Sequence, residues 1–270
     1  MKRTYFISAL LVTLSFYARS QSDTAFHLVR TIYGDISSFT VDNLDNVYIL
    51  TSRNQLKKLD AKGDSVAVYN NVKNFGQVSL IDVSNPLKIL LYYKDFATIV
   101  VLDRYLNAIA SIDLRKQNIL QVQAIGLSYD NKIWVYDELE NKLKKIDDDG
   151  KLLQETSDFR LLLGQAPTPI KIFDEDKYVY LYDSLLGVYV FDYYGALKNN
   201  IMINGWHNFK VSGKYIFGSR ADTLLRYEIK TFLLDDWKMP RQLVNSKTFN
   251  FSDTRLYALK NDGIEIYNFR

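Results

Sequence analysis

Short apolar runs alternate with turn residues along nearly the whole chain from Phe26 onward. The runs are only a few residues long and rich in Tyr, Val, Ile, Leu and Phe, which is the composition of β-strands. Asn, Asp and Gly stand between them, for example at residues 42–46 and 60–63, where they tolerate the backbone angles of tight hairpins. The runs do not follow the spacing of about 3.6 residues that marks helical repeats. The pattern therefore predicts an all-β protein.

The apolar runs are organised in a repeat, since residues 143–150 nearly copy residues 56–63. An acidic or amide residue closes one run of each unit, roughly every forty residues, a period typical of four-stranded propeller blades. These residues are Asp60, Asp103, Asp147, Asp192, Glu228 and Asn268. We therefore predict a six-bladed β-propeller of four-stranded antiparallel blades, with blades that start near residues 37, 77, 122, 168, 207 and 247.

The sixth unit contains three strands, one fewer than a full blade. Residues 27–32 form an apolar run that precedes the first blade and belongs to none. We predict that this run pairs as the outer strand of blade six and closes the ring, which leaves no blade with an unpaired inner edge. Two other assignments are made by alignment: residues 78–81 as the inner strand of blade two, and residues 201–203 as the outer strand of blade four.

The first twenty residues have the pattern of a secretory signal peptide. Lys2 and Arg3 precede an apolar stretch at residues 5–17, and residues 18–20 include small side chains suited to cleavage. We predict a signal peptide at residues 1–20 and a single propeller domain at residues 21–270. A membrane anchor is the alternative, but the apolar stretch is shorter than the ~20 residues that span a bilayer. Export to the periplasm, the outer membrane or the cell exterior follows.

Charge and cysteine content exclude several classes of protein. Lys2, Arg3 and Arg19 belong to the predicted signal peptide, which holds no acidic residue, so the chain's 34 Lys and Arg against 31 Asp and Glu become balanced after cleavage. A neutral chain gives no electrostatic support for binding nucleic acid or an anionic membrane. The chain has no cysteine, which excludes disulfides and a lipidated N-terminal cysteine. A chain of about 250 residues can be stabilised by its core alone.

Residues 130–137, followed by residues 143–150, resemble the NHL-type repeat of six-bladed propellers. In that repeat a turn, a short aromatic strand and an Asp-x-x-Gly hairpin recur, although blades two, five and six of this chain lack the hairpin glycine. The resemblance covers the predicted mature chain and implies the propeller fold. Proteins of similar type include exported bacterial propellers, scaffolds, ligand-binding modules and lactonases of the gluconolactonase type, so the resemblance does not determine the function.

A lactonase-type function would need a divalent metal held by acid and amide oxygens in the central channel. Alignment of the inner strands predicts the channel residues Thr40, Ser79, Gln123 (or nearby Gly126), Lys171, Lys210 and Asn250. Two lysines without a carboxylate would repel a cation, so we expect no metal and no other cofactor. The lysines could equally be ordinary side chains at the mouth of the channel.

Other catalytic signatures are not found. His27 lies on the predicted closing strand and His207 in a loop between blades, and neither accompanies a nucleophile motif such as Gly-x-Ser-x-Gly. Residues 147–150 lack the alternating ligands and distal Glu of a calcium loop, which favours a solvated hairpin. We therefore assign no catalytic residue.

Apolar loop residues provide a candidate docking face. The loops from second to third strand and the loops between blades emerge on the same side of a propeller. Their apolar residues are Phe75, Phe96, Leu139, Leu161, Leu162, Leu163, Leu185, Leu186 and Trp206. Most belong to blades two to four, so we expect an apolar patch that docks another protein. Alternatively, residues 161–163 pack beneath their own loop.

Two classes of function remain. The leading interpretation is a non-enzymatic exported propeller that acts as a protein–protein interaction or scaffold module in the bacterial cell envelope, monomeric on its own and bound to another envelope protein. The alternative is a small-molecule binder or lactonase-like hydrolase that uses the channel, where Lys171 and Lys210 face an anionic group. A deep polar channel would favour the alternative, and a plugged channel with a flat apolar rim would favour the scaffold.

Overall fold

A computed structural model describes residues 26–70 and 72–269. These residues form six blades of four antiparallel strands arranged in a ring, which confirms the predicted six-bladed β-propeller. The predicted signal peptide lies outside the described residues. None of the helices in the described part of the chain is long and apolar enough to cross a membrane.

The strands follow the blades in order along the chain, and the described connections between blades include two short α-helices and a 3₁₀ helix, Leu114–Gln117. Strand β1 (Phe26–Tyr33) comes first. Blade one contains β2 (Ser38–Val41), β3 (Val47–Leu50), β4 (Leu56–Leu59) and β5 (Ser65–Tyr69), followed by α1 (Val72–Phe75). Blade two contains β6 (Leu80–Asn85), β7 (Lys88–Tyr93), β8 (Thr98–Asp103) and β9 (Ala108–Asp113). Blade three contains β10 (Val122–Leu127), β11 (Ile133–Asp137), β12 (Lys142–Ile146) and β13 (Leu152–Glu155), followed by α2 (Phe159–Leu163).

The second half of the ring repeats this order. Blade four contains β14 (Lys171–Glu175), β15 (Tyr178–Asp183), β16 (Gly187–Asp192) and β17 (Leu197–Ile201). Blade five contains β18 (His207–Ser212), β19 (Tyr215–Arg220), β20 (Thr223–Glu228) and β21 (Leu234–Lys238). Blade six contains β22 (Thr248–Phe251), β23 (Arg255–Leu259) and β24 (Gly263–Phe269), and β1 pairs with β24 as its fourth strand. The predicted ring closure is therefore confirmed.

The repeated aspartates cap the hairpin between the third and fourth strands of blades one to four. In each, one carboxylate oxygen accepts hydrogen bonds from the backbone N–H groups two and four residues further on, as in an Asx turn. The four residues are Asp60, Asp103, Asp147 and Asp192. Three of these turns place a glycine at positive φ, while blade two places Leu106 there with φ 60°. The sequence repeat is therefore a repeat of turn chemistry.

Two predicted strand positions were wrong. The inner strand of blade two begins at Leu80 rather than at residue 78, because helix α1 and the loop after it occupy the connection from blade one. The outer strand of blade four is β17 rather than residues 201–203. Four of its five residues are exposed, so it carries no apolar pattern from which it could be identified.

Blades pack face to face through aromatic and aliphatic side chains. Tyr182 of blade four stacks on Phe209 of blade five with ring centroids 3.8 Å apart. Phe159 of α2 stacks on Phe191 of blade four at 5.0 Å, so this short helix is anchored in the core. Aromatic contacts of this kind add about 0.5–1.5 kcal/mol each to the burial of the rings. The Tyr182–Phe209 contact joins the second strand of blade four to the inner strand of blade five.

One ion pair lies in the interior of blade three. The Lys144 ammonium donates to the Asp137 carboxylate at 2.7 Å, and the two side chains are only 4% and 1% exposed. Lys144 also contacts the more exposed Glu140 at 2.9 Å. Burial alone would lower the pKa of Lys144, but the hydrogen bonds to Asp137 and Glu140 outweigh it and raise the pKa above its ordinary value. The lysine is therefore charged in the folded protein.

Candidate functional site

A central cavity of about 640 Å³ lies between the inner strands, and all six blades contribute to its wall. This volume is within the range of about 300–1,000 Å³ that is usual for small-molecule sites. The wall combines apolar side chains, such as Ile81, Ile125 and Phe173, with two lysines and several carboxylates. The channel is therefore open and polar rather than plugged.

Lys171 is the first residue of the inner strand β14 and lines this cavity. Its side chain is exposed to the water in the cavity, although the ring of blades surrounds it. Within the described residues, its ammonium has no hydrogen-bond or ion-pair partner. Burial lowers the pKa of Lys171 because the charged form loses hydration, and the negative charge of Asp82 partly opposes this effect.

Lys210 lies on β18, the inner strand next to β14, and reaches across the channel. Its ammonium donates to the Val41 carbonyl oxygen of blade one at 3.1 Å. Burial, together with a smaller effect of the charge of Lys171, lowers the pKa of Lys210 from 10.5 to about 8, against the opposing charges of Asp42, Asp253 and Asp45. Lys210 is thus a fixed, mostly protonated donor at neutral pH.

Carboxylates line the channel near the ends of the inner strands, where each strand passes into its first hairpin. Most of them are satisfied within the protein: Asp42 accepts from the Tyr48 hydroxyl at 3.0 Å, and Asp82 accepts from the Leu127 N–H at 2.7 Å. Asp174 accepts from the Trp134 indole N–H at 3.0 Å. These bonds tie neighbouring strands and blades together. The described residues contain no group of three His, Cys, Asp or Glu side chains that could hold a metal ion.

The structure places four of the predicted channel residues in the cavity wall and moves two out of it. Those in the wall are Thr40, Lys171, Lys210 and Asn250. Ser79 instead lies in the connection before β6, where its hydroxyl accepts from the Lys94 N–H, and Gln123 lies at a bulge in β10. Blade two contributes Asp82 at the channel, so the expectation of a channel without a carboxylate was wrong.

The predicted apolar docking residues separate into exposed and packed groups. Leu161 and Leu185 are 85% and 76% exposed, and Phe96, Leu139 and Leu162 are also exposed. Leu163 and Leu186 pack against the core between blades three and four, and Phe75 packs on Tyr93 with ring centroids 5.2 Å apart. The exposed residues remain a candidate surface.

The prediction that Trp206 belongs to the apolar docking face was wrong. Its side chain is only 4% exposed and belongs to the core between blades four and five. The ring lies on the backbone of Gly218, where a Cβ atom would come within 2.6 Å of it. The residue borders the channel instead of the outer surface.

Replacing Lys210 with Met is expected to stabilise the protein at pH 7 by roughly 1–3 kcal/mol, because a lysine whose pKa is lowered on folding is held charged at a cost. Loss of the hydrogen bond to Val41 offsets part of this gain. The cost is present below pH 8 and disappears towards pH 10.5, where the amine is neutral in both the folded and the unfolded state. Urea unfolding of both proteins at pH 7 and pH 10 measures the difference. A variant less stable than the wild type at pH 7 would contradict this prediction and show that the hydrogen bond from Lys210 to Val41 stabilises the fold.

Solved structures similar to this chain include lyases and a WD40 domain. A streptogramin B lyase superposes with a TM-score of 0.61 at 14% identity, over 91% of this chain and 98% of that chain. A catalytically inactive virginiamycin B lyase from Staphylococcus aureus with quinupristin gives 0.59 at 14% identity, over 90% and 88%. The WD40 domain of Pan2 from Neurospora crassa gives 0.57 at 11% identity, over 86% and 81%. At these identities the likeness shows the propeller fold alone. No protein-family model matches the sequence, and no curated protein matches it significantly.

Proposed function

We propose that this protein is an exported propeller that binds a small organic anion in its central channel. The observation that carries the proposal is Lys171, an amine that lines the central cavity of about 640 Å³ and has no hydrogen-bond or ion-pair partner among the described residues. Lys210 lies on the adjacent inner strand and keeps donor capacity beyond its bond to Val41, because an ammonium has three N–H groups. Two such donors in one cavity suit a carboxylate or phosphate group.

Lys171 adds a positive charge to the cavity wall that no hydrogen bond or ion pair of the described residues accompanies. A charged group removed from bulk water is unfavourable unless a counter-charge or hydrogen bonds replace its hydration. The nearby carboxylates Asp42 and Asp82 already accept hydrogen bonds from the protein's own groups. An anionic ligand would supply the missing partner, while walls such as Ile125 and Phe173 would contact its apolar part.

Export and kinship with NHL-type propellers belong to the proposal as well. Export is supported by the basic start and apolar stretch of residues 1–20. The NHL-type kinship is supported by the Asp-x-x-Gly hairpins at residues 60–63, 147–150 and 192–195, which adopt one turn geometry. In this view the ligand comes from the periplasm or the medium.

Calorimetric titration with a panel of monocarboxylates, dicarboxylates, sugar acids and sugar phosphates tests the binding. We expect Lys171→Met and Lys210→Met each to weaken the best ligand by about ten- to hundredfold, the worth of one charge-assisted hydrogen bond. Affinity should fall as the pH rises through 8, because Lys210 loses its charge there. Lys116→Met, at an exposed lysine outside the channel, serves as the control. Equal affinity in all four proteins, or no binding by the wild type, would contradict the proposal.

A docking role in the cell envelope is the second candidate function. It is supported by the exposure of Leu161 and Leu185, which lie on connections of the same face as Phe96 and Leu139. Affinity capture from solubilised envelope with wild type and with the Leu161→Asp/Leu185→Asp variant tests it. A stoichiometric envelope protein retained by wild type and lost by the folded variant would support docking, and identical profiles would contradict it.

A further inference from the structure

We infer that Lys171 forms an imine with the carbonyl group of a ligand whose anionic group is held by Lys210, so that the ligand is an oxo acid. The inference rests on the proposed anion site and adds a covalent step to it. Its basis is the placement of two amines with different contacts in one enclosed cavity. Lys210 donates a hydrogen bond to the Val41 carbonyl oxygen, and Lys171 has no hydrogen-bond or ion-pair partner among the described residues.

Lys171 has the features of a nucleophilic amine. It opens into the cavity, and within the described part of the chain no acceptor or carboxylate holds its nitrogen. Amine nucleophiles are activated by desolvation or by a second cation nearby, and Lys171 shares its cavity with the cation Lys210. Burial disfavours the charged form of Lys171, so the pKa is lowered and the reactive neutral amine is more abundant than in water.

Lys210 has the complementary features of an anchor. Its ammonium is oriented by the Val41 carbonyl oxygen at 3.1 Å, which limits the directions in which its remaining N–H groups point. At neutral pH it is mostly protonated, since its pKa is about 8. The charge of Lys171 in turn contributes to the lowered pKa of Lys210. One lysine therefore binds the anionic group while the other remains available for reaction.

The charged groups around the two amines are consistent with Lys171 as the nucleophile and Lys210 as the anchor of the anionic group. Asp82 is the carboxylate that opposes the lowered pKa of Lys171, but both of its oxygens accept backbone N–H bonds, from Ser84 and Leu127. Asp42 and Asp253 act on Lys210 and help to keep it protonated. Asp45 acts in the same direction, so three aspartates oppose the lowered pKa of Lys210, whereas Asp82 alone opposes that of Lys171.

The reaction is balanced without any oxidant or reductant. The Lys171 nitrogen adds to the carbonyl carbon and gives a carbinolamine. Loss of water then forms the C=N bond, and both hydrogens of the amine leave with the former carbonyl oxygen. Protonation of the nitrogen gives an iminium, and hydrolysis reverses the sequence and releases the ligand. The step therefore supports reversible covalent capture of an aldehyde or ketone acid.

Reductive trapping with 4-carboxybenzaldehyde and cyanoborohydride tests the inference, with adducts located by peptide mass spectrometry. We expect Lys171 to be labelled at least tenfold faster than the exposed Lys116, and benzoate to slow this labelling by competition for Lys210. Benzaldehyde lacks the anionic group and should therefore label Lys171 no faster than Lys116. In Lys210→Met the adduct should still form at Lys171 but at least tenfold more slowly.

The Lys171→Arg variant separates this inference from the proposed function. It keeps the positive charge but has no amine that forms an imine, so it should bind benzoate and give no channel adduct. Thermal unfolding confirms that the variant is folded. Labelling of Lys171 in the wild type no faster than Lys116 would overturn the imine, and calorimetric binding of benzoate in that case would leave the anion site standing. Failure of both labelling and binding would overturn the anion site together with the imine.

Discussion

Replacing Lys144 with Met is expected to lower the free energy of unfolding by about 3–5 kcal/mol, the usual cost of removing one partner from a buried ion pair. The substitution leaves the Asp137 carboxylate charged, with a side chain only 1% exposed. One of its oxygens keeps the hydrogen bonds from the Leu139 and Glu140 N–H groups, but the other loses its partner at 2.7 Å. Chemical denaturation of the wild type and the variant measures the loss.

Lys142→Met is the matched control, because Lys142 lies on the same strand, β12, and pairs with Glu155 at 2.6 Å near the surface. Exposed ion pairs contribute about 0–1 kcal/mol, so this variant should unfold almost like the wild type. A similar loss of unfolding free energy in both variants would show that burial of the Lys144–Asp137 pair does not determine its contribution to stability.

Gly263→Ala is expected to destabilise the protein by about 3 kcal/mol, at the upper end for overpacking, through the strand that closes the ring. Gly263 begins β24 and pairs with Tyr33 at the end of β1. A Cβ atom there would overlap the carbonyl oxygen of Ile32, a backbone atom that cannot rotate away. Strand β1 must shift, so its backbone amides should also exchange hydrogen faster in the variant than in the wild type.

Asn268→Ala controls for this change, since Asn268 is exposed on the same strand. It should leave both the unfolding free energy and the exchange of β1 unchanged within about 0.5 kcal/mol. If Gly263→Ala matched this control, pairing between β1 and β24 would not be the contact that closes the ring.

The blade count and the ring closure could be predicted from the sequence. An aspartate that caps a hairpin leaves the same mark wherever it occurs, as at Asp60 and Asp147. The run at residues 27–32 was identified because a six-bladed ring lacked one strand. The blade count thus follows from local turns, and the closing strand follows from counting the strands of the whole ring.

The register of blade two could not be predicted in this way. Side chains alternate with a period of two along a strand, so a shift of two residues preserves the apolar pattern. The alignment began the strand two residues early and assigned Ser79 to the channel, whereas the strand begins at Leu80, and Ile81, two residues after Ser79, lines the cavity together with Asp82. Trp206 was missed for a related reason, because only the three-dimensional approach to Gly218 shows that it is buried.

The sequence predicted the two lysines of the candidate site but not the contacts that each of them makes. Lys171 and Lys210 were identified from the inner strands, with no means of telling an enclosed amine from one at the channel mouth. What distinguishes them is their contacts: Lys210 is held by Val41 of a distant blade, and Lys171 is held by nothing in the described chain. Such contacts join residues far apart in the sequence and leave no local pattern.

The most direct test of the anion site is a crystal structure with 4-iodobenzoate, in which anomalous scattering locates the iodine atom independently of the protein model. The account predicts an iodine peak inside the central channel and a carboxylate within hydrogen-bond distance of the Lys171 or Lys210 ammonium, and it predicts the loss of that peak in the Lys171→Met/Lys210→Met variant. Iodine only at the outer surface, or an unchanged peak in the variant, would contradict it.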